Sequence, residues 1–188
     1  MAIAITIKPQ HLFNILNGTI LGEVRKNKAL VNAIKKEIAE KSKAIIYCIC
    51  SKSKPYLKEC GSFRVLSNTE IANNGYYLNG RVVCKFECKK VEELYTDENG
   101  MSYYTDTITE NYKVSELARV GDSDIEEYLN GDIGYFIHIS NLTIFDKAKE
   151  IGKLRKRNGY CDEDFYWESL KKSPQNFAYV EDTLWRKH

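Results

Sequence analysis

Short runs of alternating apolar and polar residues, separated by two amphipathic segments, predict the elements that open this chain. Residues 3–8 alternate and predict a strand. Residues 9–17 predict a helix, because proline fits a first helical turn without losing a hydrogen bond and Asn-Gly ends the pattern. Residues 27–41 repeat apolar positions at helical spacing and predict a second helix. The apolar run 44–50 predicts a well-buried strand.

The second half of the chain predicts further strands, a hairpin and a helix. Alternation predicts strands at 81–94, 134–145 and 176–181. The sequence Asp-Glu-Asn-Gly at 97–100 predicts a hairpin turn, from which 101–109 returns as a strand. Ser123 followed by two glutamates resembles a helix start, and Gly131 closes that helix. Short strands mixed with a few helices predict an α+β domain built on a small closed or partly open barrel.

Three segments lack a clear pattern. Residues 51–79 are rich in turn residues, with a short helix expected near 67–72. The basic run 147–157 fits either a helix or a loop, and 182–188 are expected to form a mobile tail.

The apolar positions of these elements predict one shared core. Its expected members are Leu12, Ile15, Leu16, Leu30, Ile34, Ile46, Val82, Phe86, Ile137, Ile139 and Tyr179. We expect Cys48, Cys84 and Cys88 to be free thiols that pack there as small hydrophobes. The chain has six cysteines, but the close pairs lack zinc-ligand spacing, so no metal is expected.

An acid and a base share one face of the extended segment after the first helix. Glu23 and Arg25 are two residues apart, and side chains at that spacing on a strand point the same way. The two side chains form either a structural ion pair or part of a small polar site. In either role we expect at least one of them to be partly buried.

The order of motifs resembles that of ASCH-domain proteins, which belong to the PUA-like superfamily of small β-barrels associated with RNA. Gly18, Glu23 and Arg25 match the signature G-x-K-x-x-E-x-R, with Ile20 at the lysine position. The segments 80–88, 135–142 and 173–180 resemble the central and closing strands of the family in the correct order. The resemblance covers most of the chain and extends to versions found in phages and prophages of low-GC Gram-positive bacteria.

The resemblance implies one ASCH or PUA-like domain over 1–188, a small PUA-like β-barrel with flanking helices and an inserted hairpin. The inserts are expected near 52–79 and 95–130. It also implies a non-catalytic module that binds RNA or a modified nucleotide without a cofactor. The expected ligand-binding residues are basic or polar and lie at the first strands, in the first basic run and in the closing segment: Lys8, Glu23, Arg25, Lys26, Lys28, Lys35, Lys36, Gln175 and Asn176.

Charge and composition agree with such a module without demanding it. The net charge is +2 over 188 residues, but basic residues concentrate in two runs and acidic residues lie elsewhere. Such separation favours a positive face that attracts phosphates, although two ordinary solvated surfaces explain the runs equally well. The start of the chain lacks a secretion signal, and no apolar run is long enough for a membrane helix, so we expect a cytoplasmic protein that does not engage membranes.

Two other functions remain open. Some proteins with the ASCH signature are amidohydrolases on an acetylated cytidine, which would make Glu23 and Glu87 the candidate catalytic acids here. Ile20 argues against that activity, because isoleucine neither transfers protons nor carries charge. The other alternative is a phage protein that binds a host protein and keeps the barrel as a scaffold.

Overall fold

The computed structural model describes residues 1–54, 56–59, 63–66, 76–100, 102–106, 113–158 and 166–182. The helices in these ranges are α1 (Pro9–Leu16), α2 (Lys28–Lys41), α3 (Val114–Ala118) and α4 (Asp122–Leu129). The strands are β1 (Ala2–Ile7), β2 (Gly22–Arg25), β3 (Ala44–Cys50), β4 (Tyr56–Glu59), β5 (Phe63–Leu66), β6 (Tyr76–Tyr77), β7 (Arg81–Cys88), β8 (Val91–Glu93), β9 (Tyr95–Thr96), β10 (Tyr103–Tyr104), β11 (Tyr135–His138), β12 (Ser140–Glu150), β13 (Arg155–Asn158), β14 (Tyr166–Ser169) and β15 (Phe177–Val180). A short 3-10 turn, Ile151–Lys153, joins β12 to β13.

The chain divides into two compact units, each built from separate stretches of sequence. The first unit contains the described residues of Met1–Leu16, Ile45–Phe86 and Leu142–His188. The second contains those of Asn17–Ala44 and Glu87–Asn141.

The first unit is built on a seven-stranded sheet in the order β12-β7-β3-β1-β15-β13-β14. At its centre β1 runs parallel to β3 and antiparallel to β15. Because side chains alternate along a strand, Ala2 and Ala4 lie on one face of the sheet. They pack there in a buried apolar cluster with Tyr47 and Ile49 of β3. Ile151, Leu154 and Leu170, which come from the turn after β12 and the loop after β14, also pack in this cluster.

Three cysteines among the described residues of the first unit lie within its buried strands. Cys48, Cys50 and Cys84 are free thiols with no exposed surface. Burial raises the pKa of Cys50 to about 12, because the thiolate would lose its solvation, and the nearby Cys84 adds to the effect. These thiols therefore act as packing groups, as the sequence predicts.

The second unit contains the three-stranded sheet β2-β11-β8, in which neighbouring strands are antiparallel. Phe136 on β11 is the fully buried centre of a cluster to which α3 and α4 contribute apolar side chains. Its ring lies over Gly22, where a Cβ atom would stand only 2.2 Å from the ring. The helix α2 begins as the sequence predicts, since the side chain of Asn27 accepts a hydrogen bond from the backbone N–H of Leu30 at 2.9 Å.

Most predicted elements and core positions are present, and the α+β class holds. The predicted barrel is absent: in the described residues the seven-stranded sheet is open, with β12 and β14 as its edge strands. Among the predicted core residues Ile139 and Tyr179 are only half-buried. Ile139 lies at the break between β11 and β12, and the Tyr179 ring packs edge-on against Phe177, which is itself half-buried. The helix expected near 67–72 and residues 183–188 of the tail lie outside the described residues.

Several boundaries differ from the predicted ones. The strand expected over 134–145 is divided into β11 and β12, and the described part of the turn-rich segment 51–79 contains β4, β5 and β6. Three further differences have clear structural reasons. The strand expected over 81–94 stops at Cys88, whose thiol donates to the carbonyl of Lys90, and β8 then joins a different sheet. The basic run 147–157 forms the end of β12, the 3-10 turn and β13, because its backbone joins the ladders of the large sheet. The helix α4 begins one residue before Ser123, and its N-cap is Gly121.

Candidate functional site

Glu23 and Arg25 form an ion pair on β2. The Arg25 Nη2 atom lies 2.9 Å from the Glu23 Oε1 atom, and the side chains expose 19% and 10% of their surfaces. Their register against β11 places Arg25 opposite Tyr135 and Glu23 opposite Ile137. The sequence-based expectation that at least one is partly buried is confirmed. The guanidinium already neutralises the buried carboxylate, which is the geometry of a structural pair.

The predicted lysines of the second unit differ in how far their charges are compensated. The Lys26 ammonium lies 3.0 Å from the Asp132 carboxylate and 5.6 Å from the centre of the Tyr128 ring. Lys28, Lys35 and Lys36 are exposed on α2. Lys36 pairs with an exposed glutamate one turn along the helix, and Lys35 lies near an aromatic ring. The α2 lysines therefore form a solvated basic face.

Glu87, the candidate second acid of the hydrolase reading, is held by two partners. Lys43 Nζ donates to its Oε1 at 2.5 Å, and Asn141 Nδ2 donates to its Oε2 at 2.8 Å. The hydrogen bond from Lys43, followed by that from Asn141, lowers the pKa of Glu87. The carboxylate is therefore ionised at neutral pH and is a poor proton donor.

His138, the last residue of β11, is hydrogen-bonded to a carboxylate. Its Nε2 atom contacts the Oε2 atom of the buried Glu92, whose other oxygen lies 3.1 Å from the Lys90 ammonium. Phe136 packs edge-on against the imidazole. Among the described residues, no group of three or more His, Cys, Asp or Glu side chains could hold a metal ion.

The remaining predicted residues lie at one end of the central strands of the large sheet in the first unit, beside the carboxyl end of β1. Lys8 is exposed directly after β1. Gln175 and Asn176 are exposed directly before β15, where Phe177 pairs with Ile5 of β1. Because β1 and β15 are antiparallel, the residues before β15 lie beside the carboxyl end of β1. The strand register therefore brings the segments that carry these three residues together.

A recess of about 410 Å³ opens at this same end of the central strands. Its lining comes from the carboxyl ends of the parallel strands β1 and β3, the turn before β7, the 3-10 turn and the loop after β14. The lining residues are Thr6, Ser51, Lys52, Gly80, Ile151, Lys171, Lys172 and Ser173. The apolar face of the sheet ends here, because Thr6 and Ser51 follow Ala4 and Ile49 at the strand period of two.

The loop that carries Lys171 and Lys172 is anchored by hydrogen bonds on both sides of the two lysines. Leu170 is buried in the core, and its N–H donates to the Leu154 carbonyl at 2.8 Å. Three residues past Lys171, the carbonyl of Pro174 accepts a hydrogen bond from the Thr6 hydroxyl at 2.8 Å. These two contacts fix the backbone on either side of Lys171 and Lys172.

Lys52 is fixed in a similar way by Asn79. The Asn79 amide donates to the carbonyls of Ser51 at 3.1 Å and Ser53 at 2.9 Å, the residues on either side of Lys52. Its oxygen accepts from the N–H of Leu57. Gly80 has a φ of +79°, and a Cβ atom there would lie 3.0 Å from the Lys52 Cε atom. Glycine therefore allows both the turn and the close approach of the lysine stem.

The electrostatics of the recess are strongly one-sided. In the part of the chain that the structure describes, its lining contains three lysines and three hydroxyl-bearing residues, and no carboxylate. The exposed Glu168 on β14 is paired with Lys156 at 2.7 Å, and this hydrogen bond is the main cause of its lowered pKa, with a small contribution from Lys171. The recess is therefore suited chemically to an anion with several oxygen atoms.

Sequence reasoning missed the three lysines of the recess. They lie in short turns, where charged residues are common, and Lys52 is far from Lys171 and Lys172 along the chain. The signal that could have revealed them is the pair of hydroxyl residues, Thr6 and Ser51, at positions where the alternation of adjacent strands predicts apolar side chains.

Comparisons with known proteins give little guidance to function. No family model matches the chain, and no curated protein matches it. In the described residues no helix is long and apolar enough to span a bilayer. Among solved structures the chain is similar to the N-terminal domain of Staphylothermus marinus McrB, with 11% identity and a TM-score of 0.45, over 81% of this chain and 77% of that one. We draw no functional argument from a likeness of this size.

Proposed function

We propose that this chain is a non-catalytic module that binds RNA through phosphate groups, with the recess of the first unit as its principal contact. The observation that carries the proposal is the juxtaposition of Lys52, Lys171 and Lys172 with hydroxyl groups at the carboxyl ends of two adjacent parallel strands. None of the described residues that line the recess is a carboxylate that would neutralise these lysines. The neighbouring Lys8, Gln175 and Asn176 extend the surface with one further cation and two amides.

The physical basis is the release of counterions from the nucleic acid. Each lysine that neutralises a phosphate frees condensed ions, which gives binding without sequence preference and makes it weaken as salt rises. The amides of Gln175 and Asn176 carry donors and acceptors that match base edges. The arrangement therefore suits phosphate contact with limited base readout.

The α2 lysines provide a second basic face within the proposal. Lys28, Lys35 and Lys36 are exposed, so they are available for weaker, less specific phosphate contacts. We assign Glu23 and Arg25 a structural role instead, because the buried carboxylate needs its partner.

A non-catalytic role also fits the residues at the hydrolase positions. Ile20, which stands where the signature has lysine, is a buried apolar side chain with 5% exposure. Glu87 has both carboxylate oxygens engaged by Lys43 and Asn141. Neither position supplies a mobile proton, and we therefore expect no turnover of an acetylated cytidine.

The test compares two variants that each remove three positive charges. One replaces Lys52, Lys171 and Lys172 with alanine, and the other replaces Lys28, Lys35 and Lys36. Affinity for a labelled single-stranded RNA is measured by fluorescence anisotropy, and folding is checked by thermal melting. We expect the first variant to lose binding and the second to lose much less. A greater loss in the α2 variant would move the principal contact to the second unit.

A further inference from the structure

We infer that the recess recognises a terminal phosphomonoester of RNA, at a chain end, in preference to the phosphodiesters within the chain. This inference rests on the proposed function and narrows it from phosphate contact in general to end recognition. Three features of the recess carry it: its positive charge, its concave lining and the fixed backbone on either side of its lysines.

The first feature is the match of charge and donor number. A phosphomonoester carries about −1.5 to −2 charges at pH 7 and presents three oxygens that are free to accept hydrogen bonds. A phosphodiester within a chain carries a single charge and has two such oxygens. Three lysines line the recess together with Ser51 and Ser173, and the Ser51 hydroxyl also contacts the Ser53 hydroxyl. The more highly charged group is therefore the better complement.

The second feature is the concave shape of the recess. Five separate segments of the first unit surround the recess, and the buried Ile151 contributes an apolar wall. A recess of about 410 Å³ falls within the range of small-ligand pockets, which accept a group that enters from one side. A terminal phosphate and its nucleotide enter in this way, whereas an internal phosphate requires the strand to leave again.

The third feature is preorganisation. Asn79 fixes the backbone around Lys52, and Leu170 together with Thr6 fixes the loop that carries Lys171 and Lys172. Less backbone ordering is then required when the anion binds. Lysine ammonium groups are compact and rotate freely, so they adapt to tetrahedral oxygens without the planar geometry that arginine imposes.

The experiment uses single-stranded oligouridylates of roughly ten nucleotides, a length within the usual site size of such proteins. Four versions are compared by competition against one labelled RNA: 5′-monophosphate, 5′-hydroxyl, 3′-monophosphate and 5′-hydroxyl DNA. Uridine monophosphate tests whether the terminal nucleotide alone suffices. Charge-assisted hydrogen bonds predict that a phosphorylated end binds about ten- to hundredfold tighter than the hydroxyl end.

The two triple-lysine variants locate the effect. We expect the preference for the phosphorylated end to disappear when Lys52, Lys171 and Lys172 are replaced, and to persist when Lys28, Lys35 and Lys36 are replaced. Should the recess variant fail to fold, the double variant Lys171→Gln, Lys172→Gln is measured instead, with the same expectation.

The outcomes separate the two levels of the proposal. Equal affinity for phosphorylated and hydroxyl ends, with binding still dependent on the recess lysines, overturns end recognition and leaves the RNA-binding function standing. No measurable binding to any oligonucleotide overturns both. A preference that survives in the recess variant also overturns the inference, because the end would then be recognised elsewhere.

Discussion

Removal of the Arg25 guanidinium should destabilise the second unit substantially without abolishing RNA binding. Glu23 is 8% exposed, and its carboxylate lies 2.9 Å from the Arg25 guanidinium. The Arg25→Ala change leaves this carboxylate buried without its partner, at a cost of about 3–5 kcal/mol. For a chain of this size, that loss corresponds to a fall in melting temperature of roughly 6–20 °C.

The assay is thermal melting by circular dichroism at pH 7, combined with RNA titration at a temperature where both proteins are folded. A matched control is Lys36→Ala, because the Lys36–Glu40 pair is exposed and its atoms are 3.8 Å apart. Such pairs contribute at most about 1 kcal/mol. The double variant Glu23→Gln, Arg25→Ala should recover part of the loss, since it leaves no buried charge.

Two results would refute this reasoning. A melting temperature for Arg25→Ala equal to that of the Lys36→Ala control would show that the carboxylate is solvated. A stable Arg25→Ala protein that no longer binds RNA would place Arg25 at the ligand, as the alternative interpretation of the motif predicts.

Three further predictions concern packing, thiol chemistry and pH. Gly22→Ala should cost about 1–3 kcal/mol in chemical denaturation, because the new methyl group overlaps the buried ring of Phe136; an unchanged midpoint would contradict this packing. Cys50 and Cys88, whose pKa values are raised by burial to about 12, should resist a thiol reagent at pH 8 in the folded protein and react after unfolding; rapid labelling of the native protein would count against the buried strands. Glu87→Gln should lower the free energy of unfolding by under about 1 kcal/mol at pH 7. This difference should vanish as the pH falls below 4.5, because a carboxyl with a lowered pKa contributes stability only while it is ionised. Melting curves in which the difference grows at low pH would exclude this pairing.

Local patterns in the sequence were sufficient to predict the elements from β1 to β3, but not β4, β5 and β6, which follow them. Asn27 begins α2 because its side chain satisfies a free N–H, and Pro9 begins α1 because it needs no such partner. Both signals act over a few residues and do not depend on the rest of the chain. The same is true of the buried alternation in β1 and β3.

The sheet arrangement depends on contacts between residues far apart in the sequence and was therefore predicted less well. The barrel was expected from the number of short strands, but whether strands close on one another is decided by which edges pair. In the basic run 147–157, which includes the end of β12, Ala148, Ile151 and Leu154 are buried at intervals of three, which resembles a helix. The 3-10 turn at Ile151–Lys153 produces that interval between two strands.

The candidate site shows the same division. Lys8, Gln175 and Asn176 were predicted from their places at the ends of strands, and the register of β1 with β15 supports their proximity. Lys52 follows β3, whereas the loop that carries Lys171 is hydrogen-bonded to β1 through Thr6 and Pro174. The two lysines therefore share the recess because β1 and β3 are neighbours in the sheet. No short-range pattern contains that information.

The salt dependence of RNA affinity tests the central claim most directly. If the three recess lysines together neutralise the roughly two charges of one terminal phosphate, they contribute about −1.4 to the slope of log affinity against log salt, or roughly a sevenfold loss between about 50 and 200 mM salt. We predict that replacing Lys52, Lys171 and Lys172 removes this part of the slope, whereas replacing Lys28, Lys35 and Lys36 leaves most of it. An unchanged slope in the recess variant would contradict the assignment of this recess as the phosphate-binding site.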